Sequence, residues 1–214
     1  HPEWLAMVRP IIPIYPHSAR PLDLFELMSP ETWVLPVTRE GRLWHVVGLF
    51  NWGKNKNLVT SEYFDDEPRT KTLEWSMMGR SPDETLLLFD AWERTCEWAD
   101  GPSWSAEIPA RAERVLVVRA VPEEPEVVFT TRHLFGGAME VSDEVFVEGE
   151  VAALGFQLSN PAGFEVTVYV AGAGMEPTAV MTPANATLEP GPCDGIWAVT
   201  FTPTEDVTSV QVQF

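Results

Sequence analysis

Two apolar runs of the same construction constrain this chain most: Val46-Val47-Gly48-Leu49-Phe50-Asn51-Trp52 and Leu86-Leu87-Leu88-Phe89-Asp90-Ala91-Trp92. Each reads as a β-strand that ends in a polar residue and a tryptophan. Apolar residues that follow one another without alternation belong to a strand covered on both faces. The two are expected to be neighbouring strands of one sandwich. A third strong strand, Val115-Leu116-Val117-Val118, is flanked by Arg114 and Arg119.

The rest of the chain is also written in strands. Thr32-Trp33-Val34-Leu35 runs into Pro36, which marks an edge or a bulge because proline has no N–H for a ladder. Glu40-Gly41 makes a turn, Leu58 to Tyr63 is a weaker strand, and Leu73 to Met78 is strand or loop. Beyond the proline–acid stretch Val121-Pro122-Glu123-Glu124-Pro125 the strands alternate more cleanly. In Phe164-Glu165-Val166-Thr167-Val168-Tyr169-Val170 the apolar set is Phe164, Val166, Val168 and Val170, and in Val210-Gln211-Val212-Gln213-Phe214 the glutamines face the other way. A period of two with one wet face marks antiparallel sheet. The fold class expected is all-β: two antiparallel β-sandwich-like units after a short irregular or helical N-terminal segment, with a helical turn over Glu3 to Val8. The divisions expected are a connecting segment 1–19, a first unit 20–121 and a second unit 122–214.

Charge and cysteine usage exclude some functions. Against 32 acidic residues there are only 14 lysines and arginines, a formal net charge of −18. Phosphate neutralisation needs a basic surface, so no nucleic-acid partner is expected. An anionic membrane is disfavoured for the same reason, and no stretch approaches the ~18 apolar residues that suggest a spanning helix. With only Cys96 and Cys193 there is no disulfide framework; two buried free thiols are expected, with a disulfide left open. No signal peptide is visible and a cytoplasmic location is favoured, although Asn185-Ala186-Thr187 is a formal glycosylation sequon. The chain opens His1-Pro2-Glu3, which suits a processed or excised piece.

Four phrases stand in a familiar order: Arg20-Pro21-Leu22-Asp23-Leu24-Phe25-Glu26, Val47-Gly48-Leu49-Phe50-Asn51-Trp52, Phe89-Asp90-Ala91-Trp92 and Thr131-Arg132-His133-Leu134-Phe135-Gly136-Gly137. Over roughly residues 20–137 the chain resembles the C-terminal region of glycoside hydrolases related to alpha-galactosidases and raffinose synthases. In those enzymes a (β/α)8 barrel carries the chemistry and β-sandwich material follows it. The resemblance implies a noncatalytic accessory region whose partner is the catalytic barrel of its parent chain. The alternative is an independent carbohydrate-binding module. The family's catalytic carboxylates match nothing here, and no βα repeat exists to carry them. No catalytic residue, cofactor or metal is therefore expected.

Candidate sites are few. Tryptophan stacks on the apolar faces of sugars, and Trp52, Trp75 and Trp98 adjoin polar stretches, which makes them the carbohydrate-contact candidates; Trp44 and Trp104 are weaker ones. Asn51 caps a turn or holds a sugar hydroxyl, with the turn expected. Retaining hydrolysis needs two carboxyl groups about 5 Å apart. Asp23, Glu26, Asp90 and Glu93 adjoin strong elements, and Asp90 is expected to accept backbone or arginine hydrogen bonds. Asp65-Asp66-Glu67 lacks a calcium-loop pattern and reads as a solvated turn. Arg132-His133 reads as structural, with Arg132 bonded to an acid, rather than as a catalytic couple. His1, His17, His45 and His133 have no ligand spacing with the cysteines. Ser103 and Ser105 have no histidine partner for a triad.

Overall fold

A computed structural model describes residues 9–12 and 15–214, and over these the chain is all-β. The helical turn expected over Glu3 to Val8 lies outside the described residues. Two compact units emerge. One is Pro16–Ala120; the other joins Val121–Phe214 with the described residues up to Tyr15.

The first unit contains ten strands: β1 (Arg20–Pro21), β2 (Thr32–Arg39), β3 (Arg42–Asn51), β4 (Asn55–Lys56), β5 (Tyr63–Phe64), β6 (Arg69–Glu74), β7 (Leu86–Asp90), β8 (Cys96–Ala99), β9 (Ser103–Ile108) and β10 (Ala112–Ala120). Six of them form one antiparallel sheet in the order β1-β2-β3-β10-β7-β8. The two runs expected to be neighbours, β3 and β7, are therefore separated by the third strong run, β10. Val117 pairs with Val46 on one side and Phe89 on the other. Since β3 and β7 are each antiparallel to β10, they run parallel to one another; residues 52–85 make the crossover between them, and β10 fills the place between the two strands.

Local chemistry explains the connections. Glu40 (φ 51°) and Gly41 (φ 82°) form a two-residue hairpin between β2 and β3, the left-handed pair that matches strand twist. Pro36 lies beyond the two residues that β1 pairs with, Trp33 and Val34, so its missing N–H leaves no ladder broken. The strand expected over Leu58 to Tyr63 does not form. Asn57 Oδ1 accepts the N–H groups of Val59 and Thr60 and holds the chain in a turn instead. The ribbon β6–β9 and the 3-10 turn Trp75–Met78 cover one face of the large sheet. Leu73, Trp75 and Met78 pack there on Val34, Val47, Leu49, Leu86 and Leu116.

The second unit contains β11 (Glu126–Thr130), β12 (Val141–Val147), β13 (Ala153–Ser159), β14 (Val166–Ala171), β15 (Ala179–Met181), β16 (Ala186–Pro190), β17 (Ile196–Phe201) and β18 (Val207–Gln213). They make two four-stranded antiparallel sheets, β11-β14-β17-β16 and β12-β13-β18-β15. Leu154, Phe156, Leu158, Val166, Val168, Val199, Val210 and Val212 fill the space between them. β18 alternates as expected. β14 does not: Tyr169 and Ala171 are buried as well as Val168 and Val170, and Phe164 lies outside the strand, exposed. Tyr169 packs beside Phe129 of β11, ring centroids 6.1 Å apart, so the second face of β14 is apolar too. The N-terminal segment is tied here by Leu134 N–H to Pro10 O and by Tyr15 against Phe135.

Neither cysteine is the buried free thiol expected. Cys96 and Cys193 are both disulfide-bonded and half-buried.

Buried charge is concentrated at Glu31. Its carboxylate is fully buried and accepts hydrogen bonds from Arg69, Lys71 and Asn55, tying β6 to the loop before β2. Glu31→Ala leaves two cations facing no anion. It is expected to cost about 3–5 kcal/mol in urea denaturation; a loss under ~1 kcal/mol would remove this cluster from the account. His45 is a second probe. Burial, with Arg80 and Arg20 nearby, lowers its pKa from 6.5 to about 4. The folded protein thus keeps the ring neutral where the unfolded chain protonates it. The stabilisation from this residue is full above pH ~6.5 and is lost as pH falls towards about 4. His45→Gln should flatten that part of the stability–pH curve relative to the parent by on the order of 2–3 kcal/mol.

Candidate functional site

The spacing Gly48-x-Phe50-x-Trp52 builds the most distinctive surface of the first unit. Residues two apart on a strand share a face. A Cβ at Gly48 would lie 2.8 Å from the Phe50 ring, so the glycine leaves room for that ring to lie over the backbone. Phe50 and Trp52 then stack with centroids 4.7 Å apart and planes 6° from parallel. Beside them runs an open groove of about 420 Å³, lined by Trp33, Leu35, Val46, Phe50, Trp52 and Val115 among others. Both indole N–H groups bordering it are already used. Trp33 Nε1 and Trp52 Nε1 donate to the same carbonyl, that of Pro30, at 3.2 and 2.8 Å. The groove therefore offers ring faces and aliphatic side chains, with few polar groups.

An apolar loop pair lies close in the chain to Trp52. Asp23 accepts the N–H groups of Glu31 and Thr32, which closes the loop 23–31. That loop joins residues 56–58 through Met28 N–H to Lys56 O and Leu58 N–H to Glu26 O. These bonds use backbone atoms and leave the side chains outside. Phe25 is 85% exposed, Val59 74% and Tyr63 73%, with Met28, Leu24 and Leu58 also exposed. Exposed large apolar side chains in such number, when they adjoin, mark interaction sites.

The sequence-derived candidates divide. Trp52 is 48% exposed and borders the groove. Trp75 is a correction: it is fully buried, its Nε1 donating to Glu84 O at 3.0 Å. The polar neighbours that suggested exposure belong to a turn that folds its one large ring into the core. Trp98 is half-buried on β8 and does not line the groove. Trp44 is fully buried, with Arg119 4.1 Å above its ring. Trp104 is half-buried and donates to Glu97.

Asn51 is buried and fully occupied, so it has no group left for a sugar hydroxyl. Its Nδ2 donates to Glu67 O and Ile108 O, and its Oδ1 accepts Gly53 N–H. Asp90 plays the matching role at the end of β7. It accepts from Trp92 N–H, Glu93 N–H and Arg114 Nε. Asp66 is paired with Arg111, whose pKa is raised by that hydrogen bond. His133 Nδ1 lies 2.9 Å from Glu140 Oε2 and its Nε2 3.1 Å from Ile12 O, a buried clamp on the N-terminal segment. Arg132, expected to bond an acid, has no such partner among the described residues. No cluster of three or more His, Cys, Asp or Glu side chains that could hold a metal occurs among the described residues.

No protein-family model matches the sequence, and no curated protein matches it. Trp33 and Phe50 were not singled out from sequence, although the i, i+2 spacing of Gly48 and Phe50 on one face of β3, with Trp52 just past the strand's end, was there to read. The two kinds of tryptophan separate in a mutational test. Trp75→Ala should cost about 3–5 kcal/mol of stability through the cavity it opens. Trp52→Ala should cost only about 1 kcal/mol, read from the same denaturant titrations.

Proposed function

We propose that this chain is a noncatalytic accessory region of an alpha-galactosidase-like glycoside hydrolase, flanking and stabilising a catalytic (β/α)8 barrel outside these residues. The observation that carries the reading is the open apolar groove on β2, β3 and β10, with both bordering indole N–H groups satisfied internally. A sugar needs hydrogen-bonding partners along with a ring face. A packed protein surface needs only apolar area, and exposed apolar area of this extent is a feature of interaction sites. The exposed loop side chains Phe25, Met28 and Val59 add to it. The signature phrases are consistent with a scaffold role, since Asp23, Asn51 and Asp90 all spend their side chains closing turns.

A carbohydrate-binding module is the second reading, and the outer face of Trp52 favours it. Its other face is taken by Phe50, so the two rings are stacked rather than side by side, as a sugar-binding platform requires.

The test is the full open reading frame that contains this sequence. Trp52→Asp should lower the melting temperature of the barrel-containing protein while leaving that of the isolated chain within a few degrees of its parent. The isolated chain should turn over aryl glycosides no faster than buffer. A reading frame without a barrel, or turnover by this chain alone, would refute the reading.

A further inference from the structure

The second unit holds a cavity of a different character. It is an open depression of about 340 Å³, at the small end of ligand pockets, lined by Arg132, Met139 and the exposed Ser159, Pro161 and Asp206, with the buried His133, Glu140 and Asn160 beneath. The groups behind are committed. His133 and Glu140 bond one another, Glu140 also accepts from Thr130 Oγ1, and Asn160 Nδ2 donates to Phe164 O. The groups in front are not. Arg132 Nε is buried with no hydrogen-bond partner, and no acid pairs with its guanidinium among the described residues, in a protein where acids outnumber bases 32 to 14. Asp206 uses Oδ1 to accept Ala162 N–H, and Oδ2 makes no bond. The Ser159 hydroxyl makes none either.

A half-buried arginine that only donates and an exposed carboxylate that only accepts thus line one open depression without bonding each other. From this juxtaposition we infer that the cavity binds a neutral vicinal diol of the kind a saccharide presents. Adjacent hydroxyls accept from Arg132 and donate to Asp206, with Ser159 able to do either. Met139 and Pro161 supply apolar wall for the C–H face of a ring. A carboxylate or phosphate satisfies Arg132 but meets Asp206, Glu140 and a surface of net charge −18. A cation meets Arg132. The site does not rest on the accessory reading, since it uses only residues of this unit and stands whether or not a barrel exists.

The experiment is a titration of the 15N-labelled protein, following the Arg132 Nε–H resonance. The probes are methyl α-D-galactopyranoside, methyl α-D-glucopyranoside, cis-cyclohexane-1,2-diol, cyclohexanol and inorganic phosphate. At least one glycoside and the diol should shift the resonance saturably, and cyclohexanol should not. Arg132→Gln and, separately, Asp206→Asn should weaken that binding about tenfold or more, with unfolding midpoints recorded alongside. If Arg132→Gln fails to fold, the parent titration and Asp206→Asn still decide. Saturation by phosphate with the glycosides silent overturns the inference in favour of an anion site. A resonance indifferent to every probe overturns it as well.

Discussion

The first unit depends on the ladders along both edges of β10. Val115 to Val118 contribute backbone hydrogen bonds to β3 on one side, and Leu116 to Ala120 do so to β7 on the other. A strand bonded on both edges inside a six-stranded sheet is shielded from water along its length. Its side chains alternate between two faces: Leu116 and Val118 into the core beneath β6 and β9, Val115 towards the groove. Misplacing β10 by one residue would exchange those sets. The groove, the tryptophan core and the ends of β3 and β7 all inherit their positions from this register.

Strand ends are secured by a second device, short polar side chains that turn back on the main chain. Asn51 and Asp90 do this at the ends of the two strands that flank β10, and Asp23 does it for the loop before β2. Buried polar groups are tolerated when their donors and acceptors are used, and the buried Asn51 and Asp90 meet that condition. Glu31 extends the principle to full charge, gathering Arg69, Lys71 and Asn55 around one carboxylate. Such groups resemble a glycosidase's acids in composition only. Their lone pairs point at backbone N–H groups and cations of the same unit.

The two units meet their polar demands differently, and this separates their surfaces. In the first, the Pro30 carbonyl takes both indole donors and leaves an apolar groove. In the second, Arg132 keeps a buried Nε without a partner beside an open depression that the exposed Asp206 also lines.

Most strands and the Glu40-Gly41 turn were legible in the sequence; the turn that Asn57 holds in place of a strand over Leu58 to Tyr63 was not. Continuous apolar runs and period-two alternation arise from the pleat itself, and Glu40-Gly41 announces its left-handed turn locally. Strand order was not legible: β3 and β7 look like partners until β10, from further along the chain, is placed between them. Nor was exposure. Trp52 and Trp75 have similar polar neighbours, yet one borders an open groove and the other fills the core, because the path of the turn decides which way a ring points. The unpaired state of Arg132 and the saturation of Asn51 are of the same kind. Each depends on which residues distant in sequence come within a few ångströms, and local composition carries no information about that.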